Sequence, residues 1–298
     1  MWKSHILKSA YRLMACLNAT GVGKFRFLRG LKRIGKYVMI RLFSQNNVFL
    51  TEVYGFPMYI YPNTAETYAY LARHYEPYTT ELFESTIRPG ATVLDIGAQF
   101  GYFSLIAAKH AGREGRVYAF EPVPANFELL CRNIQMNGYT NTIQSVQKAV
   151  GDKHTVVRLF VYEHSDSHSI YRHPQARVKG TISVECVTID EFLGGRPADV
   201  IKMDIEGNEP YALAGMKQTI SKSDNLILLI EFAPAYVRRA GVEPNDYLEQ
   251  LANIGFNIQI IDENLRCLKP VTQDFVPNDE PSWYVNLYCT RENTVLKS

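Results

Sequence analysis

From about residue 90 onward, short β-branched and apolar runs alternate with stretches that repeat their apolar positions at helical spacing. That texture predicts βαβ units and a parallel sheet. The runs place strands at 91–96, 116–121, 143–149, 181–187, 199–204, 226–232, 256–261 and 283–289, and helices near 102–111, 124–137, 208–221 and 245–254. The last strand follows the long irregular stretch 262–282, which suits an antiparallel closing hairpin. Upstream, residues 48–61 read as two strands around a turn at Gly55-Phe56-Pro57, and residues 64–87 as two helices split at Pro77. Before these, Ile6, Leu7, Ala10, Tyr11, Met14 and Leu17 form one amphipathic stripe. Phe27, Leu28, Leu31 and Ile34 form a second, beyond the break at Gly21 and Gly23. The pattern divides the chain into an arm (1–45), a hairpin-and-helix segment (46–88) and a main α/β domain (89–298).

Charge changes the picture at one place. Residues 1–45 carry ten Lys or Arg and no acid, whereas the remaining 253 residues carry 22 basic and 30 acidic side chains. A basic arm on an acidic body invites three readings: peripheral contact with an anionic membrane surface through residues 1–45, contact with nucleic acid, or amphipathic helices packed on the body itself with their basic faces in water. It argues against nucleic acid at the body, whose net charge of −8 would repel a phosphate backbone. The longest apolar run, Leu226–Ile230, is far short of a membrane span, so no transmembrane segment is expected. Lys8 and Arg12 interrupt the apolar core that a secretory signal would need. The five cysteines form no CxxC pair, which excludes a zinc or disulfide framework and fits a cytoplasmic location.

The chemistry concentrates at strand ends. Asp95-Ile-Gly97-Ala-Gln99-Phe-Gly101 lies between the first strand and its helix. Glycines let the backbone turn and approach a ligand, and the helix start offers N–H groups. The D-x-G-x-x-x-G spacing is not the G-x-G-x-x-G of pyrophosphate cradles, and Asp95 would repel phosphate while suiting a positively charged group. Glu121 ends the second strand, where a carboxylate can accept two ribose hydroxyls. Together these features indicate an adenosine-containing cofactor.

Glu121-Pro-Val-Pro124, Phe127, Leu130, Asn133, Asn137-Gly138, Val150-Gly-Asp152, Val187-Thr-Ile-Asp190, Ile201-Lys-Met-Asp-Ile-Glu-Gly207 and Ile230-Glu231 follow in order. This run resembles the FkbM family of S-adenosylmethionine-dependent methyltransferases over roughly 89–235. Gln99 stands where the family usually has Asn, and Asn208 where it often has Ala. The resemblance implies a class I methyltransferase fold, a seven-stranded, mostly parallel sheet with its last strand antiparallel. It implies methyl transfer from S-adenosylmethionine to a hydroxyl, often on a sugar or polyketide. Asp95, Gly97, Gln99 and Gly101 would then hold the cofactor's amino acid part and sugar, Glu121 the ribose, and Asp152 the adenine edge.

Lys202, Asp204 and Glu206 alternate at the end of the fourth strand, so all three are expected to project to one side, at the carboxyl ends where α/β sheets bind ligands. A hydroxyl acceptor must lose a proton, which makes Asp204 and Glu206 candidate bases, with Lys202 pairing with one of them. Glu231 ends the fifth strand at the expected pocket mouth, and Asp190 suits a cap for a short helix at 190–193. Asp199 lies too far down the strand to join the site. His164 and His168, with His173, lie in the polar stretch 162–180, a candidate acceptor lid. No D-x-D or H-x-H spacing supports a metal. Two other readings compete. A nicotinamide-dependent oxidoreductase lacks its glycine fingerprint. A non-catalytic, cofactor-binding scaffold docked by the basic arm has no use for the carboxylates at 204 and 206.

Overall fold

A computed structural model describes residues 48–61, 67, 69–70, 75–162, 168–173, 177–272, 275–276 and 283–291. The basic arm, with both its amphipathic stripes, and His164 lie outside the described residues. The chain divides into two units, residues 1–77 with 164–166, and residues 78–163 with 167–298.

In the first unit, β1 (Phe49–Val53) pairs antiparallel with β2 (Phe56–Ile60). The strands alternate buried and exposed positions, as period-2 patterning requires. The turn falls at Tyr54-Gly55, earlier than expected, because both residues take positive φ (52° and 88°) and Pro57 is absorbed into the strand. Residues 67, 69 and 70 are helical.

The second unit opens with α1 (Pro77–Thr86). Its sheet runs β12-β11-β13-β10-β9-β3-β4-β5. The strands are β3 (Thr92–Ile96), β4 (Arg116–Phe120), β5 (Ile143–Val146), β9 (Val200–Met203), β10 (Ile227–Phe232), β11 (Phe256–Asp262), β12 (Cys267–Pro270) and β13 (Val285–Arg291). The five from β5 to β10 are mutually parallel, and β13 runs antiparallel between β10 and β11. This is the expected class I sheet, with β12 added as an eighth, edge strand that pairs with β11. The central strands are mostly apolar, as parallel strands buried on both faces require, and β9 is buried at every position, Lys202 included. Helices α2 (Tyr102–Ala111) and α3 (Pro124–Met136) follow β3 and β4.

Three elements depart from the sequence reading. The run at 143–149 is two strands, β5 and β6 (Ala149–Val150). The strand at 181–187 is longer, β8 (Val178–Val187), and belongs to a separate sheet, β6-β8-β7, with β7 (Thr155–Tyr162). The helix expected at 208–221 is two, α5 (Glu209–Ala214) and α6 (Lys217–Ser221), with α4 (Ile189–Leu193) before them. Asp190 does not cap α4. Thr188 does, by accepting from the Glu191 N–H, while the Asp190 carboxylate accepts from the N–H groups of Gln218 and Thr219 and caps α6. Asp199 accepts from the Thr92 N–H at 2.7 Å and pins β3 to β9, away from the site. After β10 come α7 (Pro234–Arg239), which sequence reading missed, and α8 (Pro244–Asn253).

The turn after β11 holds the start of α1 from 185 residues away. The Glu263 carboxylate accepts from the N–H groups of Tyr78 (2.8 Å) and Thr79 (2.9 Å), two donors a helix start leaves without intrahelical partners. Glu263→Ala is expected to cost about 1–2 kcal/mol. Thermal unfolding should record that as a Tm lower by roughly 2–8 °C, and an unchanged Tm would mean water replaces the cap.

Candidate active site

The chain runs outward from β3 to β4 and β5, then returns to β9 on the other side of β3. The carboxyl ends of β3 and β9 therefore flank the point where strand order reverses, the place where open α/β sheets bind ligands. Every carboxylate singled out at the strand ends lies on this edge, and the backbone knits it tightly. Asp204 N–H donates to Ile96 O at 2.9 Å, and Gly97 and Ala98 N–H both donate to Phe120 O. The loop 97–101 is a chain of left-handed turns, with φ of 90°, 50° and 92° at Gly97, Gln99 and Gly101. A Cβ at Gly97 would lie 1.9 Å from the Asp204 carbonyl oxygen, so only glycine allows the two strand ends to approach. From behind the loop, Asn133 Nδ2 donates to Phe100 O at 2.9 Å.

Asp95 and Glu121 flank this loop. Asp95 is 2% exposed and accepts a hydrogen bond from the Ser104 hydroxyl of α2. Burial pushes its carboxyl up to about 6, against the pull of Ser104 and of Lys202. Glu121 follows β4 directly and accepts from the Gln99 N–H (3.0 Å) and the Val123 N–H (2.8 Å). Burial carries it up to about 7 despite those donors. Glu121 thus supports the glycine loop at Gln99, and with the Asn126 side chain as a third donor its two oxygens still have acceptor capacity for one more. Asp152 is exposed and lies next to Gly215, between α5 and α6, with its charge acting on the side chains of Tyr171 and Cys186.

On the other side of the edge, Lys202 is 1% exposed. It stands in register beside Asp95, with its Nζ 3.6 Å from Asp204 Oδ2 and 5.1 Å from the centre of the Phe103 ring. It is therefore a buried positive charge that serves the two aspartates, as the expected pairing requires. The alternation does not extend to Glu206. β9 ends at Met203, and Glu206 takes a left-handed backbone (φ 59°) in the turn that follows. Its carboxylate, with that of Asp204, nevertheless helps raise the pKa of Glu231 at the end of β10. Glu231 is pushed well above the usual carboxylate range, first by burial and then by Asp204, Glu206 and Glu209.

Glu209 escaped the sequence reading. In the first turn of a helix an acid looks like an ordinary complement to the dipole. Here it is 2% exposed and accepts from the Ile205 N–H at 2.8 Å, holding the 205–207 turn, and burial lifts it to about 7. Asn208, off the family pattern, ties three segments together. Its Nδ2 donates to Val150 O, and its Oδ1 accepts from the Tyr171 hydroxyl. Ser169 Oγ donates to Glu206 O, so the polar excursion is fastened at Ser169 onto the 204–207 turn. His168 Nδ1 accepts from the Tyr162 N–H, a bond within the excursion.

Residues 95–258 match the model of the methyltransferase FkbM domain, which is more than half of the chain. The chain is 38% identical over 55 residues to a protein-L-isoaspartate O-methyltransferase of Methanococcoides burtonii, covering 18% of this chain and 27% of that one. It is 26% identical over 145 residues to methyltransferase 1 of Beauveria bassiana, covering 42% and 57%. The match thus spans about a quarter of the archaeal protein's length. Among solved structures, the O-methyltransferase of Bacillus cereus superposes with a TM-score of 0.42 at 12% identity, covering 73% of this chain and 80% of that one.

Proposed function

Because the chain belongs to the FkbM methyltransferase family, we propose that it uses S-adenosylmethionine to methylate a hydroxyl of a small-molecule or glycan acceptor, with Asp204 as the base. The residues fit such a cofactor. The loop 97–101 offers bare backbone where Gly97 meets β9, Glu121 has spare acceptor capacity for a ribose hydroxyl, and the neighbouring acids suit a cation. When bound, the cofactor supplies an electrophilic methyl group on a sulfonium. Asp204 would hold the acceptor hydroxyl and take its proton as the acceptor oxygen received the methyl group that the cofactor would supply.

The observation that carries this reading is the setting of two neighbouring carboxyls. Asp204 Oδ2 lies 3.6 Å from the buried Lys202 Nζ. Glu231 is pushed well above the usual carboxylate range by burial and by Asp204, Glu206 and Glu209, so it leans toward the protonated form that can donate a hydrogen bond to the acceptor. A salt-bridged carboxylate beside a carboxyl of raised pKa can divide the work of base and donor. Glu206, in the turn between them, is an acceptor-holding group. Lys202 is a positioning residue, since its buried ammonium acts through Asp204.

Calorimetric titration with S-adenosylhomocysteine tests the cofactor site. Glu121→Ala should weaken binding by roughly 1.5–3 kcal/mol, the worth of a charged hydrogen bond. A second readout comes from pH. The wild-type carboxyl near 7 must ionise to serve the ribose fully, so affinity should rise from pH 6 to pH 8, and Glu121→Gln should flatten that rise. Stability should move the other way. Asp95, Glu121 and Glu209 hold protons more tightly in the fold than in the unfolded chain, so the free energy of unfolding without ligand should fall as pH rises through 6 to 7. Failure of well-folded protein to bind S-adenosylhomocysteine would overturn the proposal.

A further inference from the structure

The acceptor side of the site carries a positive charge that methyl transfer does not need. Tyr236 of α7 packs its backbone on the catalytic turn, where a Cβ at Gly207 would lie 2.8 Å from Tyr236 O and 3.0 Å from Tyr236 Cβ. Its phenol stands among the carboxylates. Burial first, then Glu206 and Glu231, push it up to about 12. The Arg239 guanidinium lies over the Tyr236 ring at 4.8 Å. His173 meets the same ring edge-on at 6.1 Å, and it comes from the excursion whose Ser169 is bonded to Glu206 O. Three groups from two elements thus converge beside the catalytic turn.

Arg239 differs from its neighbour Arg238, which pairs with Glu243 at 3.8 Å. Among the described residues, Arg239 has no carboxylate within ion-pair distance, although Glu206 and Glu231 bear on the ring beneath it. A guanidinium stacked on an aromatic face keeps its planar fork of donors open at the edge, the geometry that takes a carboxylate or phosphate in two hydrogen bonds. The exposed part of an aromatic ring beside carboxylates also suits a polyol, with its C–H face on the ring and its hydroxyls on the acids.

We propose that Arg239, stacked on Tyr236 and flanked by His173, binds an anionic group of the acceptor, so that the preferred substrate is an acidic sugar or similar polyol. This rests on the methyltransferase reading above. The acid group would dock on Arg239 while a hydroxyl of the same molecule lies at Asp204. The Arg239 guanidinium offsets the negative field of Asp204, Glu206 and Glu231, which would otherwise oppose an anionic acceptor, so the arginine gives acidic substrates an attraction that neutral ones lack.

The test is transfer of labelled methyl from S-adenosylmethionine to matched acceptors: glucose, glucuronic acid and glucose 6-phosphate. Both acidic members present the anion, and their comparison tells carboxylate from phosphate. Wild type should favour one acidic member over glucose by tenfold or more in kcat/KM. Arg239→Ala should remove that preference through KM, with kcat within about threefold, and Arg239→Lys should restore part of it. Tyr236→Phe, which keeps the platform, should leave the preference in place. Titration of each variant with S-adenosylhomocysteine separates the two ideas. Lost cofactor binding by wild type sinks the methyltransferase reading. Intact binding with glucose preferred, with no transfer to any of the three, or with a preference indifferent to Arg239, overturns the acidic-acceptor proposal.

Discussion

Gly97→Ala is expected to destabilise the protein by about 2–5 kcal/mol and to abolish cofactor binding within reach of titration, a loss of more than roughly a hundredfold. Two costs add. The new methyl group would sit 1.9 Å from the Asp204 carbonyl oxygen, a backbone atom that donates no slack because its own N–H is tied to Ile96 O. Forced separation of packed atoms of this kind costs about 1–3 kcal/mol. The left-handed φ of 90° adds about 1–2 kcal/mol for any residue with a Cβ. Gly194→Ala is the control. It is left-handed (φ 62°, ψ 34°) with nothing within 4 Å of the new carbon, so it should show the conformational cost alone. The two Tm shifts, and S-adenosylhomocysteine titration of each variant, check the claim. Equal shifts for the two variants would mean that the approach of the glycine loop to β9 does not matter.

Asp204→Asn should lower kcat by about 10²- to 10⁴-fold, the usual worth of a positioned general base, with cofactor affinity nearly unchanged. The amide keeps the shape and loses the proton acceptor. It also leaves the Lys202 ammonium, 1% exposed, without its carboxylate partner at 3.6 Å, so a modest fall in Tm is expected alongside. Glu231→Gln provides the contrast. A group pushed toward its protonated form by burial and by three acids loses less when made an amide, and its effect should fall well short of that at Asp204. Single-turnover methyl transfer with saturating cofactor measures both. A larger loss at Glu231 than at Asp204 would reverse the assignment of base and donor.

Much of the site was legible because its chemistry lies in short contiguous motifs at strand ends. Asp95, the loop to Gly101, Glu121 and the Lys202-to-Gly207 run each follow a strand whose apolar pattern is plain, and in parallel sheets such positions fall on one edge. Glu206 shows the limit of pattern. Period-2 alternation holds only while the backbone is extended, and β9 stops at Met203. Asp190 shows another. Its helix-capping chemistry was readable, but the helix it caps lies 27 residues further on. β7, with 69% exposure at Val156, and the short α7 were missed because each buries too little to leave a strong period.

The sequence by itself determined the parallel α/β body, the order of its strands along the chain, and the carboxylates and glycines at its carboxyl edge. These depend on local periodicity and on residues that only one backbone geometry tolerates. Only the tertiary structure decided which groups share an environment. Lys202 is buried beside two aspartates, Glu231 is pushed well above the usual carboxylate range, Glu209 and Asn208 are braces, and Arg239 stacks over Tyr236. Burial and the field of neighbouring charges come from residues distant in the chain, and no spacing within one segment encodes them.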